Sequence, residues 1–405
     1  MKKIVMRNVL LITLCIAAIT VSCPGNGDPD PGKQNQAAGS ALEFAATMKI
    51  GWNLGNTLEG HNNLTPNETA WQRTKTSQAL MNGVADLGFG VVRIPVTWGT
   101  MIGPAPNYTI DEAWMNRVAE VVGYVHNAGM KAIINIHHDG ADSRYWLSVK
   151  TADLSGPTKT AMDEKFKAVW RQIAERFKNT GNLLLFEAFN ELHDGSWGDG
   201  TVAQRDRINE LNQIFVDAVR AVGGNNSERY LVIPGWVTRP SVTVSSLVLP
   251  SDTANDKLIV TIHFYDPYQF TLAAEQDVWG SKALPGNSYS WGNESGIQRT
   301  FDSVKNKFVN NGIPIIIGEY GAVNRPSGPQ FDYQKYYMEY VTKLAVDCGF
   351  VPVLWDNGAS STGAEKSRMI NRATGQPENA NTAAILNLMM KAVNENYSLE
   401  DITPP

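Results

Sequence analysis

Eight short apolar runs, separated by amphipathic stretches, constrain this chain more than any other feature. They are MKIGWNL (48–54), GVVRIPV (90–96), KAIINIH (131–137), NLLLFEAF (182–189), RYLVIPG (229–235), LIVTIHF (258–264), IPIIIGE (313–319) and VPVLW (351–355). Each is rich in Val, Ile and Leu and nearly unbroken in apolar character, as parallel strands covered on both faces are. Between the runs, apolar positions step by three and four. In TAMDEKFKAVWRQIAERFKN, residues Met162, Phe166, Val169, Trp170, Ile173 and Phe177 share one helical face. DEAWMNRVAEVVGYVHNAG, RDRINELNQIFVDAVRAVGG, IQRTFDSVKNKFVNNG and DYQKYYMEYVTKLAVDCG carry the same stripe, and several end in Gly, a helix stop. SVTVSSLVLPSDTAND predicts a short helix or an irregular turn, and NTAAILNLMMKAVNEN a last helix.

This alternation predicts the α/β class and a single (β/α)8 TIM barrel, a catalytic domain over residues 41–400. The competing architecture is an open doubly wound sheet. That fold usually has fewer strands and a glycine-rich phosphate loop after the first one. GWNLGNT lacks the G-x-G-x-x-G spacing. The length of 405 residues suits one barrel with long loops. With a net charge of −5 and no basic stripe, nucleic acid is excluded as an expected partner.

The N-terminus predicts export. MKKIVMR supplies positive charge and VLLITLCIAAITV a run too short to span a membrane comfortably. TVSC (20–23) resembles the end of a bacterial lipoprotein signal, although Thr20 stands where Leu is usual. The expectation is a signal peptide over 1–22, a lipid at Cys23 and a Pro/Gly-rich tether over 23–40, with plain secretion as the alternative. The only membrane contact expected is that anchor, at the bacterial cell surface or outer membrane. Cys15 leaves with the signal, so Cys348 remains as a lone buried thiol and no internal disulfide is possible.

Barrels of this kind place their chemistry at the C-terminal strand ends. Strand 2 carries Arg93. Strand 3 ends in His137-His138-Asp139, and strand 4 in Asn190-Glu191 followed by His193. Strand 6 carries His263 and Tyr265, strand 7 ends in Glu319-Tyr320-Gly321, and strand 8 in Trp355-Asp356-Asn357. Polar groups beside apolar strands cost free energy unless paired or used. Glu191 and Glu319 stand out, because strands 4 and 7 face each other across the mouth of an eight-stranded barrel.

These pieces resemble glycoside hydrolase family 5, a retaining family. GWNLGNTLE, VVRIPVTW, INIHHDG, FEAFNELHDG, IHFYDPY, IIIGEYGA and VLWDNG occur in the family's order. GWNLGNTLE with ETAW (68–71) is most similar to its endo-β-1,4-glucanase branch, which includes xyloglucanases. The resemblance implies that Glu191 is the acid/base and Glu319 the nucleophile. It implies that Arg93 and Tyr265 hydrogen-bond the nucleophile, and that Asn190 binds the sugar 2-hydroxyl. His137, His138 and His263 would line the central subsite, Trp355 would be its platform, and a non-proline cis peptide would follow Trp355. Retention needs the two carboxyl groups about 5–5.5 Å apart. Asn53, Trp71, Trp98, Trp197 and Trp279 are weaker candidates for outer subsites. AWQRTK departs from the AWG of many relatives and leaves the nearby loop shape open.

Two other readings compete. In a metal-dependent barrel HHD and H-x-Y would be ligands, but metal barrels usually carry H-x-H on strand 1, which has no His here. A glycan-binding lipoprotein without activity would tend to lack one of the carboxylates. The expectation is therefore hydrolysis of β-1,4-linked polysaccharide by a monomer without cofactor or metal. Cellulose, mixed-linkage glucan, xyloglucan and glucomannan all remain open as the preferred polymer, and mannan is the least expected.

Overall fold

The computed structural model describes residues 40–140, 145–283 and 292–405. The expected signal peptide, Cys15, Cys23 and nearly all of the tether lie outside the described residues. The eight runs form a closed parallel barrel. Its strands are β1 (Gly51–Asn53), β2 (Val91–Ile94), β3 (Lys131–Asn135), β4 (Leu184–Glu187), β5 (Leu231–Pro234), β6 (Leu258–Phe264), β7 (Ile315–Tyr320) and β8 (Phe350–Leu354). Each pairs with its sequence neighbours, and β1 closes the ring on β8. Most are shorter than the apolar runs, which extend past the ladder at one or both ends.

The amphipathic stretches form the expected outer helices. Gly156–Arg176 buries Met162, Phe166, Val169, Trp170 and Ile173, the stripe read from the sequence. The weak unit after β5 is a short helix, Pro240–Ser246. Three helices escaped the periodicity because each is short: Ala41–Ala46, Gln78–Asp86 and Tyr268–Thr271. Cys348 is buried and unpaired, and burial pushes its thiol up to about 11. No helix among the described residues is long and apolar enough to cross a membrane.

Strand alternation sorts side chains between two cores. Outward residues such as Val92, Ile134, Phe186, Val260 and Ile317 pack under the helices. Inward residues near the strand starts, Val91, Ile133, Leu185, Val232, Ile259, Ile316 and Val351, fill the lower barrel together with Ala41, Ala45 and Met48. The N-terminal helix therefore plugs the end of the barrel opposite the rim. Above that apolar layer the inward positions turn polar: Asn53, Arg93, Asn135, Glu187, Thr261 and His263, all buried.

Gly83 on the helix Gln78–Asp86 marks one tight approach. A β-carbon there would lie 2.6 Å from the backbone of Gly375. Alanine usually stabilises a helix interior relative to glycine by roughly 0.5–1 kcal/mol. Here the overlap reverses the sign. Gly83→Ala is expected to destabilise the protein by about 1–3 kcal/mol, read as a lower urea midpoint with an unchanged m-value.

Candidate active site

Arg93 stands at the centre of the polar layer, and all five of its N–H donors are used. Nε donates to Glu187 Oε2 at 2.6 Å and Nη2 to Glu187 Oε1 at 3.0 Å. Nη1 donates to Glu319 Oε1 at 2.8 Å and to Asn53 Oδ1 at 3.0 Å, and Nη2 also reaches Asn190 Oδ1 at 2.8 Å. Tyr265 donates its hydroxyl to Glu319 Oε2 at 3.0 Å. Glu319 thus carries a donor on each oxygen, as an ionised carboxylate prefers.

A β-bulge turns Glu319 inward. The β6–β7 register runs Ile262 opposite Ile317 and then His263 opposite Glu319, so Gly318 is an extra residue. Strict alternation from the inward Ile316 would send Glu319 out among the helices. The bulge restores it to the mouth and sends Tyr320 outward, where its hydroxyl meets Thr342 at 2.8 Å.

Glu191 reaches the same point from the loop after β4. Its Oε1 lies 2.6 Å from His263 Nδ1, and that nitrogen is 3.7 Å from Glu319 Oε2. One carboxylate oxygen of each glutamate and one His263 ring nitrogen lie within 4.8 Å of one another. The two carboxyl groups therefore converge on one point at the barrel mouth, as the chemistry of a retaining pair asks.

Burial is the main influence on both acids. It pushes Glu191 up to about 7, against the opposing pull of Arg93 and His193. It raises Glu319 as well, and the neighbouring Glu191 adds to the rise, while His263 and Arg93 oppose it. Burial drives His263 down to about 4, so its imidazole is neutral near pH 7. His137 is held well below its ordinary value by burial and by His138.

The rest of the rim sorts the expectations. His137 lies parallel to Trp355, with ring centroids 6.2 Å apart and 2° between planes. His138 meets His137 edge-on at 4.5 Å and Trp71 at 5.6 Å. Both histidines lie beyond the end of β3, so strand alternation does not separate them. Trp71 and Trp197 remain exposed, at 42% and 57%, and Trp197 packs on His193 at 4.5 Å.

Three outer-subsite expectations fail, and so does one backbone detail. Trp98 and Trp279 are core residues. Their indoles donate to Asn135 O at 3.0 Å and Gly292 O at 2.6 Å, and both are buried because helices cover them. Asn53 is fully buried beneath the site, its amide held by Gly318 O at 2.8 Å and Leu354 O at 3.2 Å. It braces Arg93 rather than an outer sugar. The described cis peptides are Ala105–Pro106 and Asp266–Pro267, so the bond after Trp355 is trans. The trans form is the lower-energy one for a non-proline residue, and Asp356 makes its contacts without a cis bond.

Several site residues were missed. Glu187 hid inside an apolar run. The available signal was its inward phase with Leu185, together with a buried guanidinium on β2 that needs more than one acceptor. Glu59 closes the turn after β1, accepting from Thr57 N at 2.8 Å and from Asn56 N, and burial raises it to about 7. Asp356 accepts from Trp52 Nε1 at 3.1 Å, Met369 N at 3.0 Å and Ile370 N at 2.9 Å, anchoring the Trp355 loop. Gln72, at the departure from AWG, donates to Asn357 O at 2.7 Å and joins the first rim loop to the last.

A closed barrel with a buried and a half-buried glutamate converging on its rim defines a glycosidase that works through paired carboxyl groups. The cellulase family, glycosyl hydrolase family 5, matches residues 54–361. Endoglucanase A of Paenibacillus barcinonensis is 36% identical over 336 residues, which is 79% of this chain and 83% of that protein. A solved broad-specificity endoglucanase from Bacteroides salanitronis superposes with a TM-score of 0.84 at 46% identity, covering 88% of this chain and 95% of that one. The Bacteroides ovatus family 5 xyloglucanase, in complex with a XXXG heptasaccharide, superposes at 0.79 with 33% identity, covering 90% and 78%. The chain belongs to glycoside hydrolase family 5, and it is an endoglucanase-type enzyme.

Removing one partner from a buried ion pair leaves an uncompensated charge. Arg93→Met is expected to cost roughly 3–5 kcal/mol. Glu187→Gln keeps the hydrogen-bonding shape and is expected to cost less, about 1.5–3 kcal/mol. Urea unfolding of both variants checks the order.

Proposed function

We propose that this chain hydrolyses internal β-1,4-glucosidic bonds of plant β-glucans with net retention. Glu319 is the nucleophile and Glu191 the acid/base. The convergence of their oxygens and His263 Nδ1 within 4.8 Å carries this reading. Glu319 attacks the anomeric carbon while Glu191 delivers its proton to the leaving oxygen, giving a glycosyl-enzyme. Esterification removes the negative charge of Glu319, so Glu191 loses an anionic neighbour and its affinity for a proton falls. It can then take a proton from the water that attacks the intermediate, regenerating both groups.

Arg93 and Tyr265 keep Glu319 charged and aimed before attack. Asn190 presents its side chain beside Arg93, where a sugar 2-hydroxyl would lie. Trp355 offers a flat apolar face under the ring at the point of cleavage, with His137 parallel to it. Trp71 against His138 and Trp197 against His193 offer further exposed aromatic faces to a long chain. Cellulose-type, mixed-linkage and xyloglucan backbones share the geometry such a cleft grips, and the named relatives include both endoglucanases and a xyloglucanase. A panel of soluble polysaccharides, with product sizes measured, ranks them.

Export, with a lipid at Cys23, completes the reading. The N-terminal helix plugs the barrel end opposite the rim, so the chain leading to Cys23 joins the barrel away from the cleft. Cys23→Ser should release the enzyme from the membrane fraction. Retention of that variant in the membrane would remove the anchor.

Glu319→Ala is expected to lower kcat by at least about three orders of magnitude with the fold intact, and near-normal turnover would refute the nucleophile. Glu191→Ala should slow substrates with poor leaving groups far more than activated aryl glycosides. The pH profile of kcat/KM should be bell-shaped. Glu191 must hold its proton, so activity falls as pH rises through about 7. Glu319 must be ionised, so activity also falls as pH drops through its value, which burial raises. Full turnover in EDTA is expected, although Glu191, His263 and Glu319 could together grip a divalent ion.

A further inference from the structure

Two buried polar atoms in the upper barrel make no hydrogen bond among the described residues, and they point at one place. They are His263 Nε2 and Thr261 Oγ1, on residues 5% and 1% exposed. Standing two apart on β6, they share its inward face. Both atoms lie close against Gly318 on β7, where only a residue without a side chain fits. A β-carbon there would lie 2.7 Å from Thr261 Oγ1 and 3.0 Å from His263 Nε2.

The other side of the imidazole is committed. Nδ1 is 2.6 Å from Glu191 and 3.7 Å from Glu319. The remaining charged and titratable groups around the ring are Arg93 on β2, Glu187 on β4, His137 beyond β3 and Tyr265 beyond β6, and none of them reaches Nε2. A neutral imidazole carries one proton, and carboxylates on one side draw it to Nδ1. Nε2 is then a bare acceptor in a dry interior, which is costly without a donor. Thr261 has the one hydroxyl aimed at that space.

We infer that the Thr261 hydroxyl donates to His263 Nε2 across one bridging water, and so locks the tautomer that presents Nδ1–H to Glu191. Thr261 is thus a positioning residue, acting on Glu191 through His263. The lock matters for proton traffic. With its proton on Nε2, the ring would accept the Glu191 proton at Nδ1 and divert it from the leaving oxygen. With its proton on Nδ1, it donates to Glu191 in both halves of the cycle and cannot take that proton. Glycine at 318 then serves two ends, the bulge that turns Glu319 inward and the space this contact needs.

Nitrogen-15 NMR of the histidine-labelled full chain tests the tautomer, and with six histidines in the sequence the spectrum is tractable. In the wild type near pH 7, His263 should show a protonated Nδ1 and an unprotonated Nε2. Thr261→Val, similar in shape but without the hydroxyl, should move the ring toward a tautomer mixture. The same variant should lower kcat on polysaccharide by about 3- to 10-fold with KM nearly unchanged. Thr261→Ser should restore both signatures, and Gly318→Ala should reproduce the spectral change. A protonated Nε2 in the wild type overturns the inference, even if Thr261→Val fails to fold. So does a folded Thr261→Val with an unaltered spectrum and unaltered kcat. Only the kinetic arm rests on Glu191 as the acid/base. Full activity in Glu191→Ala beside the expected wild-type spectrum would refute that role and leave the tautomer standing.

Discussion

Everything at the rim depends on one buried cation. The Arg93 guanidinium is withdrawn from water, and its five donors reach Asn53 on β1, Glu187 on β4, Asn190 just beyond it and Glu319 on β7. A buried charge is tolerable only when it is paired and hydrogen-bonded throughout. Glu187 meets the first demand with a bidentate pair, which leaves the second terminal nitrogen free to hold Glu319. One carboxylate therefore neutralises the cation structurally, and the other borrows its field for chemistry. Opposite sides of the barrel are fixed to a single planar group.

The second constraint is shape. A regular strand would present Glu319 to the helices. The extra residue at Gly318 shifts the phase of β7 by one, so that His263 and Glu319 become partners across the ladder. The glycine carbonyl is in turn held by Asn53 at 2.8 Å. Backbone and side chains thus fix the bulge together. With Glu319 fixed, only the approach of Glu191 remains to be set, and His263 sets it at 2.6 Å.

Around this centre the rim loops are tied to one another more than to the strands. Asp356 gathers Trp52 and two backbone amides of the last loop, and Arg372 bridges to Gly55 O at 3.1 Å while lying 4.6 Å over Trp52. Gln72 adds a further link to Asn357. These ties hold the Trp355 platform at a constant height above the catalytic layer. The aromatic residues beyond them, Trp71 and Trp197, pack on His138 and His193 and stay partly exposed.

The sequence by itself determined the barrel, its eight strands and the rim as the place where chemistry collects. Apolar period and polar strand ends are local signals, and burial on two faces demands both. It also determined which residue types stand at each strand end, so Glu191, Glu319, Arg93, His263 and Tyr265 were legible before any coordinates. Only the tertiary structure decided which of them touch. Trp98, Trp279 and Asn53 read like cleft residues yet lie buried, because a loop side chain can turn either way and an inward strand residue can sit below the cleft floor, and no periodicity records which. Glu187 was hidden for the opposite reason. Its run is apolar, and only the cation from a distant strand explains its charge. The inward turn of Glu319 was the least legible of all. It depends on one extra backbone residue in the ladder, and a bulge is a property of strand pairing, which no single strand contains.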